Sequence, residues 1–509
     1  MKYSIKIEKG ECWWGGAVSD GAKMPLTGGG SYELDAVVNR TYNQVNLLFT
    51  SSHGRYVYAE GGGVVRTGGG ILTIDETEGK IETGEGYPSL KDAYLAAAER
   101  FFARENPVPE IACAAPQYCT WMDMLRGVTQ DKVIAYAESI AEKNMPAGVL
   151  IIDDGWMRDY GDWRFKEEAF PDPKAMIGRL HALGFKVIMW LCPFVNRTAE
   201  DFSFLEERGA LVKNAAGETA IRTWWSAESA VLDGTSPAAF GWLGEKLGFL
   251  MREYGVDGFK LDAGDAMYYE RDDVTYAPTT PNGQSALWAE FARRYEYAEL
   301  RACVGKGGAA IIQRLSDKKS RWGGKNGLNT LVPNMIQAGL CGYAYCCPDM
   351  IGGGNEADVC GGVFVKDEEL FARSCECAAL MPMMQFSHAI WNRGGMLGDI
   401  AVKFAALHHS FAPYLKGLAE HCAKTFEPML RNMEYEFPHR GYEKIKDQFM
   451  LGDRYLVAPV LKKGARTRKV VLPEGSDWLY VPENKLYAAG KAEVPAPLDV
   501  LPYFERIEK

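Results

Sequence analysis

Several features that mark other protein classes are missing from this sequence of 509 residues. No apolar run approaches the roughly 18 residues that a membrane-spanning helix needs. No cluster of Lys and Arg is long enough to follow a phosphate backbone, and 57 basic against 67 acidic residues give a formal net charge of −10. We therefore expect no membrane span and neither nucleic acid nor an anionic membrane as a partner.

The 12 cysteines include no Cys-x-x-Cys pair, which disfavours a zinc site or a thioredoxin-type redox site. Several of them lie in strongly apolar runs such as 188–192, where a free cysteine acts as a small core residue. The first residues, MKYSIKIEKGECWWGG, carry charges every few positions and lack the apolar segment of a secretory signal. The expected location is a reducing cytoplasm.

The chain changes character twice along its length. Residues 1–88 alternate short β-prone runs with glycines, which is typical of an antiparallel sandwich. A helix-like stretch at 89–103 leads to the Glu-Asn-Pro-Val-Pro link at 105–109, and short strands with Pro and Gly turns return after 416. These changes predict an N-terminal β-sandwich domain (1–105), a central domain (106–415) and a small C-terminal β domain (416–509).

In the central domain, apolar strands alternate with amphipathic helices, which indicates a parallel sheet covered on both faces. The strand candidates are 148–152, 185–191, 258–262, 309–313, 342–346 and 380–384. A doubly wound sheet would need a Gly-rich phosphate loop, which is absent, so the prediction is an α/β fold with a (β/α)8 TIM barrel. Polar residues follow the strands and would meet at its C-terminal rim: Asp153, Asp154, Asn196, Asp262, Asp317, Asp349, Ser387 and His388.

A rim of carboxylates and tryptophans suits glycoside hydrolysis, in which two carboxyl groups flank the bond that breaks. Acyl transfer is disfavoured, because the chain has only seven histidines and no Gly-x-Ser-x-Gly elbow. Lys260 and Asp262 are two residues apart on a strand, so both side chains should point into the barrel mouth. A lysine there would favour the ionised form of a nucleophilic carboxylate, although the pair could equally be a salt bridge inside the barrel.

With these motifs the sequence resembles glycoside hydrolase family 31, the retaining α-glycosidases. Lys260-x-Asp262 matches the nucleophile strand of the family. The run 448–460 (QFMLGDRYLVAPV) matches its C-terminal signature, and 348–353 (PDMIGG) resembles its Asp-Ile-Gly-Gly segment. The resemblance implies a β-sandwich, a (β/α)8 barrel and a C-terminal β domain. It implies Asp262 as the nucleophile, a small carbohydrate as substrate, no metal and no cofactor, and it leaves a homo-oligomer open.

One departure from the family concerns the acid/base residue. Many members carry it in a Trp-x-Gly-Asp segment, whereas this chain has Trp322-Gly-Gly-Lys325, and a lysine cannot serve as a carboxylic acid. The run from Arg314 to Trp322 is similar to the branch that contains the myogenesis-regulating glycosidase, in which the Asp between the Arg and the Ser is the acid/base. That similarity implies Asp317, whose alternative reading is a loop residue paired with Lys318 or Lys319.

A second departure concerns the sugar. After the second strand the chain reads Asp153-Asp154-Gly155-Trp156, which is similar to α-galactosidase families whose two aspartates hold O4 and O6 of the sugar. A site that hydrogen-bonds one epimer leaves polar groups unpaired with the other. We therefore expect an α-galactosidase, with an α-glucosidase as the alternative. An α-xylosidase, a transglycosidase and a non-catalytic sugar-binding protein also stay open, and one aspartate could instead cap the loop.

The remaining candidates each have a structural alternative as core, capping or bridging residues. Trp121, Trp224 and Trp225 could line the entrance. His388 follows the predicted seventh strand, where the family places a histidine that contacts the sugar. The predicted substrate-binding residues are Asp153, Asp154, Trp156, Trp190, Lys260, Arg314, Trp322, Asp349 and His388.

Overall fold

The computed structural model describes residues 2–358 and 367–507. No helix in these residues is long and apolar enough to cross a membrane. The eleven cysteines in the same part of the chain are free and buried, as expected of cysteines that occupy apolar runs.

The N-terminal region consists of two antiparallel sheets that contribute to one hydrophobic core. Its strands are β1 (Tyr3–Lys6), β2 (Cys12–Ala17), β3 (Leu26–Thr27), β4 (Tyr32–Asp35), β5 (Val45–Ser51), β6 (Tyr56–Ala59), β7 (Val64–Gly68), β8 (Ile71–Asp75) and β9 (Ile81–Gly84). The sheet orders are β1-β8-β7-β4 and β3-β2-β5-β6-β9. Helix α1 (Leu90–Phe101) follows, and the Ser89 side chain caps it by accepting a hydrogen bond from the Asp92 amide.

The central region alternates strands and helices as the sequence predicts. Its strands are β10 (Gln117–Cys119), β11 (Val149–Ile152), β12 (Met157–Asp159), β13 (Asp162–Phe165), β14 (Lys186–Leu191), β15 (Phe194–Val195), β16 (Ile221–Thr223), β17 (Glu228–Val231), β18 (Gly258–Leu261), β19 (Tyr297–Leu300), β20 (Ile312–Arg314), β21 (Cys346–Cys347) and β22 (Gln385–Phe386). Its helices are α2 (Glu110–Ala114), α3 (Trp121–Met124), α4 (Gln130–Glu142), α5 (Pro173–Ala182), α6 (Phe202–Glu207), α7 (Pro237–Tyr254), α8 (Pro281–Ala292), α9 (Leu331–Leu340), α10 (Glu368–Ala379) and α11 (Gly395–Ser410).

Eight of these strands form a parallel barrel in the order β21-β20-β19-β18-β14-β11-β10-β22. A parallel bridge between Met350 and Gln385 brings the two ends of the sheet together and nearly closes the barrel. The predicted (β/α)8 barrel is therefore confirmed. Strand β11 (Val-Leu-Ile-Ile) is fully buried because helices and loops cover the outer face while side chains fill the interior.

Three of the predicted strands differ from the observed ones. The run 380–384 is not a strand, because α10 ends at Ala379 and the eighth strand begins only at Gln385. That run contains Pro382, which has no amide hydrogen to donate to a sheet. The strands predicted at 309–313 and 342–346 are shorter and lie later, as β20 and β21, and the sequence pattern missed β10 and β19 altogether.

The C-terminal region forms a six-stranded sheet and a separate two-stranded ribbon. Helix α12 (Ala412–Thr425) leads into it, so the predicted boundary at 416 falls inside a helix. The later elements are β23 (Leu430–Arg431), α13 (Met433–Glu436), β24 (Phe449–Leu451), β25 (Tyr455–Val457), β26 (Thr467–Leu472), β27 (Asp477–Tyr480), β28 (Lys485–Tyr487), β29 (Gly490–Pro495) and β30 (Tyr503–Ile507). The sheet orders are β23-β24-β25-β30-β27-β28 and β26-β29.

A loop of the N-terminal region, residues 36–44, lies against the carboxyl ends of the barrel strands. Gln44 Nε2 donates to the carbonyl of Arg314 at 2.9 Å, and Asn43 Oδ1 accepts from the Ser316 amide at 2.9 Å. The Tyr42 carbonyl accepts from Arg301 Nη1 at 2.9 Å. The first domain therefore contributes directly to the rim on which the predicted site residues lie.

Candidate active site

A cavity of about 350 Å³ opens at the carboxyl ends of the barrel strands. Both predicted catalytic residues, Asp262 and Asp317, line it. Five predicted substrate-binding residues share its wall: Asp153, Asp154, Trp190, Lys260 and Arg314. The topology explains this convergence, because each of these residues lies in or just after a parallel strand whose carboxyl end faces the same rim.

Asp262 follows β18 and is held by two side chains from neighbouring strands. Arg301 Nε donates to Oδ1 at 2.9 Å, and Trp190 Nε1 donates to Oδ2 at 3.1 Å. Burial raises the pKa of Asp262, but the positive charges of Arg301 and then Lys260 outweigh burial and hold the pKa well below its usual range. Asp262 is thus an ionised carboxylate fixed in orientation at the cavity wall.

Lys260 does not pair directly with Asp262. Its Nζ donates to Oδ2 of Asp153 at 2.7 Å, and the Cys119 thiol donates to the same oxygen at 3.1 Å. Both partners in this salt bridge are almost fully buried. The alternative of a salt bridge inside the barrel therefore applies to Lys260, with Asp153 as its partner, while its charge still lowers the pKa of Asp262.

Asp154 lines the cavity, and its two carboxyl oxygens differ in their hydrogen bonding. Its Oδ2 accepts from the Tyr160 hydroxyl at 3.0 Å and from Arg126 Nε at 3.0 Å. Its Oδ1 is buried and has no hydrogen-bond partner within residues 2–358 and 367–507. Burial raises the pKa of Asp154 to about 6, against the opposing charge of Arg126 and with the added repulsion of Asp153.

A tight turn fixes the Asp-Asp-Gly segment against the loop that carries Arg126. Gly155 has φ +107°, and a Cβ built there would lie 2.7 Å from the Arg126 Cα and 2.8 Å from its carbonyl oxygen. Arg126 also donates to Glu356 and to Ser226, each at 3.0 Å, and its guanidinium lies over the Trp121 ring. Arg126 therefore ties three loops of the rim to Asp154.

Asp317 lies beyond the end of β20, on the same wall as Asp262. Arg314 Nη1 donates to its Oδ1 at 2.8 Å, and Asn326 donates to its backbone carbonyl at 2.6 Å. The side chain of Asp317 is 37% exposed, so a substrate oxygen can reach it. Lys318 points away: it is buried, and its Nζ donates to Thr330 Oγ1 at 3.1 Å. The alternative pairing of Asp317 with Lys318 is therefore wrong.

Asp349 lies beneath the cavity rather than on its wall. Its Oδ1 accepts from Arg314 Nη1 at 2.6 Å and its Oδ2 from the Lys318 amide at 2.6 Å, and the carboxyl group is fully buried. Both oxygens are thus occupied by protein donors. The prediction that Asp349 accepts sugar hydroxyls does not fit this geometry, because the polar groups that a sugar would need are already paired.

Three further predicted substrate-binding residues do not line this cavity, and each has a structural contact instead. The Trp156 ring packs against Phe165, and its Nε1 donates to the Trp190 carbonyl at 2.8 Å. The half-buried Trp322 donates from Nε1 to Asp367 at 2.9 Å. His388 packs against Phe371, follows the eighth strand rather than a seventh, and burial lowers its pKa to about 4.

Of the three tryptophans expected at the entrance, Trp121 and Trp225 line the cavity. Trp224 is buried and stacks on Phe194 with ring centroids 4.4 Å apart. Among residues 2–358 and 367–507, no group of three or more His, Cys, Asp or Glu side chains is arranged to hold a metal ion.

Seven residues of the cavity wall were not predicted from the sequence, and two of them, Arg301 and Tyr42, bear on the position of Asp262. Arg301 directly follows β19, which the apolar pattern missed because Glu299 interrupts it. An arginine immediately after a strand would have been the signal. Tyr42 comes from the N-terminal domain, is 47% exposed and has φ +56°. A positive φ in a non-glycine residue is visible only in coordinates.

Comparison with known families agrees with the motifs. Residues 107–418 match the model of the glycosyl hydrolases family 31 TIM-barrel domain, and residues 426–508 match that of the family 31 C-terminal domain. The myogenesis-regulating glycosidase of Mus musculus is 36% identical over 417 residues, which are 80% of this chain and 58% of that protein. The chain thus spans little more than half the length of the curated relatives it matches.

Solved structures show the same fold at low sequence identity. A family 31 α-xylosidase from a soil metagenome, complexed with xylose, superposes with a TM-score of 0.86 at 22% identity over 99% of this chain and 79% of its own. A cycloalternan-degrading enzyme from Trueperella pyogenes, in complex with a covalent intermediate, superposes with a TM-score of 0.84 at 21% identity, covering 100% of this chain and 78% of its own.

Proposed function

The chain belongs to glycosyl hydrolase family 31, and on that premise we propose that it is a retaining α-glycosidase that releases an α-galactosyl unit from a small glycoside or oligosaccharide. The observation that carries this proposal is the pairing in one cavity of an ionised, fixed carboxylate, Asp262, with a partly exposed carboxyl group, Asp317. A retaining glycosidase needs one ionised, fixed carboxylate as the nucleophile and a second carboxyl group that the glycosidic oxygen can reach.

Each carboxyl group has its own part in the double displacement. Asp262 attacks the anomeric carbon and forms a β-linked glycosyl ester as the glycosidic C–O bond breaks, while Asp317 gives its proton to the leaving oxygen. In the second step Asp317 takes a proton from water, the water oxygen attacks the same carbon, and Asp262 leaves as a carboxylate. The product keeps the α configuration. The covalent intermediate captured in the Trueperella pyogenes enzyme supports this two-step course.

The galactoside preference is supported by Asp154. Its buried, unpaired Oδ1 lacks a donor among the described residues, and a sugar hydroxyl placed there would satisfy it. Asp153 is held by Lys260 and Cys119 on one oxygen, so it has less capacity left for a sugar. Asp154 is therefore the stronger candidate for reading the axial O4.

Initial rates on a panel of aryl α-glycosides test the proposal: galactoside, glucoside, xyloside and N-acetylgalactosaminide, each with Asp262→Ala as control. We expect the galactoside to dominate and the variant to lose turnover while keeping its fold. A preference for the glucoside or the xyloside would leave the mechanism intact and overturn the proposed preference for an α-galactosyl unit. Binding without turnover in the wild-type protein would instead support a non-catalytic sugar-binding protein.

A further inference from the structure

Asp349 and Asp317 share one hydrogen-bond donor. Arg314 Nη1 lies 2.6 Å from Asp349 Oδ1, 2.8 Å from Asp317 Oδ1 and 3.1 Å from the Leu315 carbonyl oxygen. A guanidinium Nη carries two hydrogens, so three acceptors compete for two donors at this nitrogen. Neither carboxyl group can have the full benefit of the arginine charge.

The surroundings of Arg314 make this competition sharper. At its Nε, Arg314 also donates to Glu299, which is fully buried and accepts a second hydrogen bond from Gln385. One guanidinium thus serves three carboxyl groups, two of which have no contact with solvent. Burying uncompensated negative charge is costly, and a group of carboxyls in this situation lowers the cost by retaining a proton.

The backbone also ties Asp349 to the loop that carries Asp317. The Lys318 amide, next to Asp317 in the chain, donates to Asp349 Oδ2 at 2.6 Å. Asp349 has φ +84°, in the left-handed region that costs energy for a residue other than glycine. The glycines that follow allow close contact: a Cβ built at Gly354 would lie 3.0 Å from Asp317 Oδ1, and one at Gly353 would lie 2.4 Å from the Lys318 carbonyl oxygen.

We propose that Asp349 is a positioning residue for the acid step: it holds the Asp317 loop in place, competes for Arg314 and keeps one proton on the Asp317–Asp349 pair. This inference rests on the proposed function, in which Asp317 is the acid/base. It assigns the Asp of the Asp-Met-Ile-Gly-Gly segment to proton retention rather than to sugar binding. Asp349 touches no reacting atom, because its carboxyl group is sealed beneath the cavity.

The charges around the pair agree with a shared proton. Burial raises the pKa of Asp349 to about 7, against the charge of Arg314 and with the repulsion of Asp317. Asp317 faces Arg314 and Asp349, interacts with Arg301 and shares the cavity with Asp262. Asp349 also interacts with the buried Lys318 ammonium. Two coupled carboxyls titrate as a unit, so removing one changes the pH range over which the other keeps its proton.

The test is Asp349→Asn, measured on two α-galactosides: a methyl glycoside, whose leaving group needs an acid, and a dinitrophenyl glycoside, which does not. We expect kcat/KM to fall further for the methyl glycoside than for the dinitrophenyl glycoside, by an additional factor of roughly ten or more. Only the methyl glycoside depends on protonation of its leaving oxygen by Asp317, which is the step that the substitution slows. We also expect the alkaline limb of the methyl glycoside profile to move to lower pH, since the carboxyl group that competes for Arg314 beside Asp317 would be gone.

Two control variants and one replacement test variant accompany Asp349→Asn. Asp233→Asn removes another buried carboxylate, which accepts from Gln284 and Thr235 outside the cavity, and it should leave both substrates and the alkaline limb unchanged. If Asp349→Asn does not fold, Asp349→Ala replaces it in the same measurements. A water molecule in the space left by the side chain can accept the hydrogen bonds of Arg314 and of the Lys318 amide without carrying a charge. Asp317→Ala measured in parallel should show the full discrimination between leaving groups.

The outcomes separate the two claims. Equal losses on both glycosides with an unmoved alkaline limb would overturn the role of Asp349 and indicate a purely structural residue. If Asp317→Ala itself fails to discriminate between the leaving groups, the proposed acid/base is wrong and the inference fails with it. If Asp317→Ala discriminates between the two leaving groups but neither Asp349 variant does, the role of Asp349 is overturned while the proposed acid/base role of Asp317 stands.

Discussion

Arg301 Nε donates to Asp262 Oδ1 at 2.9 Å, and the same guanidinium forms a two-pronged pair with Asp265 at 3.1 and 2.6 Å. The arginine is itself anchored, because Nη1 also donates to the Tyr42 carbonyl of the N-terminal domain. The orientation of the proposed nucleophile thus depends on three separate segments of the chain. Lys260, the cation that the sequence offered for this task, pairs with Asp153 instead.

Replacing Arg301 should therefore change both the rate and its pH dependence. In Arg301→Met, Asp262 loses its nearest positive charge, so its pKa rises and its ionised fraction falls at acid pH. We expect kcat/KM to drop by roughly 10- to 100-fold near neutrality, the size of a lost charge-assisted hydrogen bond. We expect a larger drop at lower pH, and a kcat/KM profile over about pH 4 to 8 measures both.

The exposed Arg294 provides the matched control, and Arg294→Met should leave the profile as in the wild-type protein. If Arg301→Met reduced the rate by the same factor at every pH, the electrostatic support of Asp262 would be refuted, leaving only a contribution to structure.

Azide should restore turnover in a variant that lacks the acid/base. Asp317→Ala removes the proton donor, so glycosides with poor leaving groups should lose roughly 100-fold or more in kcat/KM. With a dinitrophenyl α-galactoside the glycosyl-enzyme still forms, and azide can attack it without a general base. Proton NMR should show an α-galactosyl azide, which retains the configuration of the substrate.

The anomer of that azide distinguishes the two carboxyl groups. A β-azide from Asp317→Ala would mean that the substituted residue is the nucleophile, and the roles of Asp262 and Asp317 would have to be exchanged. A variant with wild-type rates on poor leaving groups would exclude Asp317 from catalysis.

Arg126 should control sugar affinity through Asp154. In Arg126→Met the opposing charge is removed, so the pKa of Asp154 should rise above its present value of about 6. A protonated Asp154 accepts hydrogen bonds from sugar hydroxyls less well. As the pH is lowered, KM for the galactoside should therefore begin to rise at a higher pH in Arg126→Met than in the wild-type protein. Arg126→Lys keeps a positive charge and should recover part of the affinity. Steady-state KM between about pH 5 and 8 tests this; an unshifted KM profile would disprove it.

His408 should make the stability of the protein sensitive to acid. Burial lowers its pKa from 6.5 to about 4, and its Nδ1 donates to the Ala379 carbonyl at 2.9 Å. As the pH falls, the histidine is protonated in the unfolded chain before it is protonated in the folded protein. The contribution of neutral His408 to the free energy of unfolding is therefore complete above pH 6.5 and is lost as the pH falls towards 4. The loss amounts to about 3 kcal/mol for a shift of this size.

His408→Asn can keep the hydrogen bond to Ala379 without titrating. The difference in free energy of unfolding between the wild-type protein and the variant should shrink as the pH falls, as measured by urea denaturation at several pH values. The comparison isolates His408 from His388, whose pKa burial also lowers to about 4. A difference that does not vary with pH would show that His408 does not titrate in this range.

The sequence was most informative where a single strand carries both the fold and the chemistry. The strand that ends in Lys260-x-Asp262 was recognisable because its residues are apolar on one side and charged on the other. Asp153, Asp154 and Asp317 could be assigned to one rim because parallel strands of a barrel end on the same side.

The sequence failed where function depends on contacts between distant segments. Nothing in the local pattern says that Lys260 pairs with Asp153, or that Arg301 replaces it beside Asp262. Trp156 was predicted to bind the substrate, but whether a tryptophan faces a cavity or the core depends on packing that a pattern does not contain. The burial of Asp349 likewise depends on packing between segments that are distant in the sequence.

The covalent intermediate that the mechanism requires on Asp262 can be trapped and located. The protein is treated with a 5-fluoro-α-galactosyl fluoride, which forms the glycosyl ester faster than water can hydrolyse it, and its intact mass and peptides are analysed by mass spectrometry. We expect the added mass of one fluorogalactosyl unit on the peptide that contains Asp262, and none in Asp262→Ala. An adduct on another carboxylate, or turnover of an aryl α-galactoside with inversion of configuration, would contradict it.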